Sequence, residues 1–158
     1  MAQSARLLDV DDNADNRDML ARRLRKRGYE VHTALDGDEA LRMVDGAEYD
    51  LVLLDIMMPG IDGIEVLRRL RASYAQAELP ILMATAKTDS TDVVEALRLG
   101  ANDYVTKPID FPVALARIQS LLQTREEAAT VPAPAAALPP DGRAEAGAVL
   151  DGRYEVVR

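Results

Sequence analysis

Five times along residues 1–125 a short apolar run gives way to a segment with apolar residues at helical spacing, and that alternation constrains the fold more than any other feature of the chain. The strand-like runs are ARLLDV, YEVHTA, YDLVLLD, LPILMATA and NDYVTK. Between and after them lie NADNRDMLARRLRKRG, GDEALRMVDG, DGIEVLRRLRASY, STDVVEALRLG and FPVALARIQSLLQTR. Strands that alternate with helices predict a parallel sheet covered on both faces. The run LVLL is apolar at consecutive positions, as a strand buried on both sides requires. Gly28 and Gly100 stand where the first and fourth helices should stop, and Asp110 with Pro112 fits the start of the fifth.

Past residue 125 the pattern changes. Four of the eight prolines fall between Val131 and Pro140, in VPAPAAALPPDGRAEAGA, so residues 126–149 read as an extended Ala/Pro-rich linker and 150–158 as a tail. No cysteine is present, which excludes disulfides and thiolate metal sites. The start, MAQSARLLDV, is too short in apolar length for a secretory signal, and no run approaches a membrane span, so a soluble cytoplasmic protein is the expectation. A formal net charge of -8 argues against direct nucleic-acid binding. The basic run Arg22-Arg23-Leu24-Arg25-Lys26-Arg27 is the local exception and reads as a solvated helix end.

In open parallel sheets the site forms from loops at the carboxyl ends of the strands, where strand order reverses. The polar residues predicted there are Asp11 and Asp12 after strand one, Asp55 ending strand three, Thr85 ending strand four and Lys107 after strand five. Three carboxylates brought together repel one another unless a cation joins them, and Mg²⁺ accepts such oxygen ligands. Asp12 or Asn13 could instead cap the first helix, but capping does not account for all the acids together with Asp55, Thr85 and Lys107. A carboxylate beside Mg²⁺ can attack phosphorus and become an aspartyl phosphate, with a lysine and a hydroxyl stabilising the phosphoryl oxygens. Asp55 is the natural nucleophile, because it opens the tight turn DIMMPGIDG. A competing pattern, Asp9-Val10-Asp11, spells the acid-x-acid signature of a haloacid-dehalogenase phosphatase, with Asp9 as nucleophile. That chemistry needs a second acidic metal loop late in the chain, and none follows Lys107.

Taken together, Asp11-Asp12, Asp55 within LVLLDIMMPGIDG, Thr85 within PILMATA, and Tyr104 and Lys107 within GANDYVTKPID resemble the response-regulator receiver domain of two-component signalling, over residues 5 to about 124. The resemblance implies a CheY-like, doubly wound sheet of five parallel strands in order 2-1-3-4-5 with five helices. It implies that Asp55 accepts a phosphoryl group from a histidine kinase or phosphotransfer protein. It also implies Mg²⁺ held by Asp12, Asp55 and the Met57 backbone carbonyl, with Asp11 assisting through water, and a cis Lys107–Pro108 peptide. Thr85 and Tyr104 would carry the switch to the face formed by the fourth helix, fifth strand and fifth helix, where Val94, Arg98 and Phe111 are candidate contacts for an output domain or partner, the alternative for the apolar ones being that they are simply core. Met57 and Lys87 would line the path of hydrolytic water, and Met cannot orient water as Asn can, so self-dephosphorylation is expected to be slow. No turnover of an external substrate is expected, and the alternative to a phosphorylated switch is a pseudo-receiver that binds partners without phosphorylation. Asp9 departs from the family, which ordinarily has an apolar residue there; a buried acid at this place should have a raised pKa or a local partner. The closing VLDGRYEVVR resembles the run before the Gly-rich loop of bacterial serine/threonine kinases, which would make it the beginning of an output domain; the alternative, of equal weight, is a stand-alone receiver with a disordered tail.

Overall fold

The structure, a computed structural model, describes residues 5–86 and 90–130. Lys87, the linker from 131 and the tail at 150–158 lie outside the described residues. The elements follow in strict alternation: β1 (Arg6–Val10), α1 (Ala14–Lys26), β2 (Glu30–Ala34), α2 (Gly37–Gly46), β3 (Leu51–Asp55), α3 (Gly63–Arg71), β4 (Ile81–Ala86), α4 (Ser90–Arg98), β5 (Asp103–Lys107) and α5 (Phe111–Thr130). All neighbouring strands pair in parallel, in the order β2-β1-β3-β4-β5, which is the predicted topology.

Side chains alternate across the sheet, and each set finds its own helix layer. Leu8, Val10, Val52, Leu54, Ile81 and Met83 pack with α2, α3 and Ala96 of α4. Leu7, Leu51, Leu53, Leu82, Ala84 and Val105 pack with Leu20, Ala21 and Leu24 of α1 and with Ala114, Leu115 and Ile118 of α5. β3 lies between β1 and β4 and is buried at all five positions, which explains its unbroken apolar run.

The predicted punctuation is realised. Gly28 and Gly100 adopt φ of 97° and 110°, a left-handed backbone that a side chain would strain. Asp110 caps α5, its Oδ1 accepting from Val113 N and its carbonyl from Ala114 N. The Lys107–Pro108 peptide is cis. At its far end α5 continues to Thr130, so residues 126–130, read as linker from composition, are helical. Their Glu and Ala residues favour helix, and the first proline after them is Pro132. The chain divides at this point into the units 1–125 and 126–158.

Arg71, which no sequence pattern singled out, ties the lower loops together. Its guanidinium donates to the carbonyls of Gly100 at 2.7 Å and Leu79 at 2.9 Å and to Asn102 Oδ1 at 2.8 Å. Burial pulls its pKa down to about 10, so it stays charged at neutral pH.

Candidate functional site

The strand order reverses at β1: α1 leads from it to β2 across one face of the sheet, and α2 leads back past it to β3 across the other. Asp11 and Asp12 follow β1 and Asp55 ends β3, so the two carboxyl ends bring the acids to one crevice. One carboxylate oxygen from each of the three lies within 4.8 Å of the others. Capping does not consume them. Asn13 is the cap of α1, accepting from Asn16 N at 3.0 Å, while Asp11 Oδ1 accepts from Asn13 N at 2.9 Å and Asp12 is left exposed. This hard-oxygen donor set fits Mg²⁺, which needs one or two carboxylates and keeps waters.

Asp55 is buried, with its Oδ1 accepting from Met57 N at 3.3 Å. Burial raises its pKa to about 6; Lys107 opposes the rise and Asp11 adds to it. Lys107 Nζ sits 2.8 Å from Asp55 Oδ2 and 3.5 Å from Asp11 Oδ2. Burial disfavours the ammonium, but hydrogen bonding and attraction to Asp55, then Asp11, outweigh it, and its pKa is raised. Thr85 is buried near the end of β4, its hydroxyl donating to the Ala86 carbonyl at 3.3 Å. Tyr104 is half-buried on β5 and packs against the α2–α4 layer.

Gly63 opens α3 directly beneath the nucleophile candidate. Its N–H donates to the Ile56 carbonyl at 2.8 Å, and a Cβ there would come 2.2 Å from the Asp55 carbonyl oxygen. Only glycine permits this approach.

Asp9 sits inside β1 at 2% exposure, and its Oδ2 has no hydrogen-bond partner. Burial pushes its pKa well above the usual carboxylate range, and repulsion from Asp11 adds to the shift. It lines a cavity of about 70 Å³ with Asn16, Met19, Leu53, Asp55 and Pro108. So enclosed, Asp9 cannot present a nucleophile to a bulky phosphoester, which removes the acid-x-acid phosphatase reading. Arg17 was missed by sequence reading. It is buried on α1, donates to the Asp11 carbonyl at 2.7 Å, and its charge partly offsets that of Asp9. An Arg on a polar helix face carries no pattern that distinguishes this role.

Val94, Leu97 and Arg98 on α4 and Val113 on α5 are exposed. Phe111 is half-buried instead. It packs with the α1–α5 layer, where Arg23 and Arg27 stand 5.7 and 5.9 Å from its ring centre, because cations on α1 offer its face a better partner than water.

The family model of the response regulator receiver domain matches residues 7–119. The chain belongs to this family. Among solved structures, the receiver is similar to a CheY-like receiver domain protein from Methanospirillum hungatei, at 28% identity and a TM-score of 0.75, covering 80% of this chain and 99% of that one. It is similar to the chemotaxis protein CheY4 of Vibrio cholerae, at 34% identity and a TM-score of 0.68, covering 75% of this chain and 98% of that one. It also matches NtrX of Brucella abortus at 30% identity and a TM-score of 0.74, over 80% of this chain but 28% of that longer protein. No helix among the described residues of the receiver is long and apolar enough to cross a membrane.

Proposed function

We propose that this receiver accepts a phosphoryl group on Asp55 from a histidine kinase or phosphotransfer protein and passes the change to a partner or output domain. The observation that carries the reading is the placement of a buried carboxylate, Asp55, between an acidic cluster and the Lys107 ammonium 2.8 Å away. An Asp55 carboxylate oxygen forms the new bond to phosphorus while the donor's phosphorus–nitrogen bond breaks and its electron pair returns to the histidine nitrogen. Asp12, Asp55 and the Met57 carbonyl would hold Mg²⁺ directly and Asp11 through water; the ion, when bound, offsets charge on the phosphoryl oxygens. Lys107 would leave the Asp55 carboxylate for a phosphoryl oxygen, and the Met57 N–H, already turned toward Asp55, can donate to another.

Thr85 gives its hydroxyl to a neighbouring carbonyl in this structure, a weak engagement that phosphoryl oxygens can displace. Its movement would free space for Tyr104 to turn inward and so alter the exposed surface of α4, β5 and α5. This is a two-state element biased by a local charge event.

The test is intact-protein mass after incubation with Mg²⁺ and acetyl phosphate, for wild type and Asp55→Asn. A single phosphoryl adduct that requires Mg²⁺ and vanishes in the variant supports the reading. A folded wild type that gains no adduct overturns it in favour of a pseudo-receiver, in which Asp9 is the first residue to replace.

A further inference from the structure

The basic run of α1 has no role in the phosphoryl chemistry, yet its arrangement is not that of a uniformly solvated helix end. Arg22, Arg23, Arg25, Lys26 and Arg27 are all exposed around the buried Leu24. Acids outnumber bases 27 to 19 in this chain, but none of the five cations forms an ion pair among the described residues. Arg6, Arg68, Arg69, Arg117 and Arg125, by contrast, each hold a carboxylate. The dipole of α1 favours cations in its last turn, but Arg22 lies ahead of that turn.

The five separate into two directions. Arg23 and Arg27 gather over Phe111. Arg22, Arg25 and Lys26 instead line an open groove of about 510 Å³ between α1 and β2, with Ala21, Asp18 and the Thr33 side chain. Arg25 is fixed there by its hydrogen bond to the Val31 carbonyl at 2.6 Å, so part of the charge is already oriented. β2 is the edge strand of the sheet, which leaves this side of the groove without a further strand.

We propose that the groove between α1 and β2 is a docking site for an acidic segment of a partner protein, received by Arg22, Arg25 and Lys26. The argument is charge complementarity. Three cations against the single Asp18 form a local positive field on a molecule of net charge -8, and an acidic segment is the partner that this field attracts while the rest of the surface repels it. The groove does not include Asp11, Asp12, Asp55 or Lys107, so docking and phosphoryl acceptance are separable.

The experiment titrates the full chain with fluorescein-labelled octaglutamate and octaglutamine and follows anisotropy. The wild type is compared with Arg22→Glu/Lys26→Glu and with Arg42→Glu/Arg68→Glu, a charge-matched control on other helices. Octaglutamate should bind and octaglutamine should not, and the groove variant should lose about tenfold or more in affinity while the control keeps the wild-type value to within about twofold. Phosphorylation of the groove variant by acetyl phosphate should be unchanged, which separates this proposal from the function of Asp55. No binding of octaglutamate, or an equal loss in the control, would overturn it. Displacement of octaglutamate by inorganic pyrophosphate at equal concentration would also overturn it, since the groove would then take a small anion and not a protein segment.

Discussion

Lys107 holds Asp55 at 2.8 Å across the carboxyl ends of β5 and β3, strands that are separated in the sheet by β4. The same ammonium reaches Asp11 at 3.5 Å, so one cation joins three regions of the chain that are remote in sequence. A metal ion bound through Asp55 would have to compete with this ion pair.

Replacing Lys107 by Ala removes that competitor and leaves the acids more negative as a group. Mg²⁺ should then bind more tightly at pH 8, by about tenfold on Coulombic grounds, while phosphoryl acceptance slows because a group that stabilises the phosphoryl oxygens is lost. Isothermal titration and intact mass measure the two effects separately. Weaker Mg²⁺ binding in Lys107→Ala would contradict the arrangement.

The raised pKa of Asp55 sets a pH dependence of definite sign. Its carboxyl binds a proton up to about pH 6 in the folded state but only to the ordinary carboxylate range when unfolded. Without metal, the folded state therefore loses stability as pH rises from the ordinary range through about 6, and Asp55→Asn flattens that part of the curve. Mg²⁺ binding should run the other way, falling as pH drops below about 6. Thermal melts with and without Mg²⁺ between these limits check both signs.

Asp9 costs stability wherever it is ionised, because its Oδ2 is buried without a partner. Asp9→Val, which nearly preserves volume and restores an apolar strand, should stabilise the fold by about 1–3 kcal/mol at pH 7.5. Urea unfolding gives the value. An unchanged or lower midpoint would show that the carboxyl is compensated in a way the contacts around it do not reveal.

Thr85→Ala should accept a phosphoryl group in near wild-type yield but fail to transmit it. Nuclear magnetic resonance of the Tyr104 ring on addition of acetyl phosphate and Mg²⁺ is the readout. A Tyr104 response as large in the variant as in wild type would remove Thr85 from the switch.

Met57 is 63% exposed and carries no group able to orient water by a hydrogen bond. An aspartyl phosphate on this chain should persist for minutes or longer, and Met57→Asn should shorten its lifetime about tenfold, which corresponds to about 1.4 kcal/mol of barrier. A wild-type lifetime of seconds would contradict this.

How far the molecule could be read before its structure depended on whether a property is local or collective. The alternation of runs yields the sheet, and LVLL alone identifies β3 as the doubly covered strand. Asp11, Asp12, Asp55 and Lys107 were expected at the carboxyl ends of the strands, and the structure brings these three acids and the lysine into one crevice because a parallel sheet gathers those ends on one side. Arg17 and Arg71 were not legible. Their roles come from backbone carbonyls that only the folded chain presents, and an arginine in a polar segment looks the same whether it is solvated or buried. Phe111 was left between surface contact and core for a related reason, since its orientation depends on cations from α1, more than eighty residues earlier in the sequence. The end of α5 was blurred because Glu and Ala suit a helix as well as a polar linker.

Gly63 has no titratable group, no ligand atom and no contact with a substrate, yet a single added methyl at this position would collide with the main chain of Asp55. A mutational scan scored on signalling output would therefore rank Gly63 beside Asp55 and invite a chemical explanation where a spatial one applies. Intolerance to substitution there would measure how closely a helix can approach the strand that carries Asp55. Transplanting the five polar residues into another parallel sheet would reproduce the chemistry only if that clearance were transplanted as well.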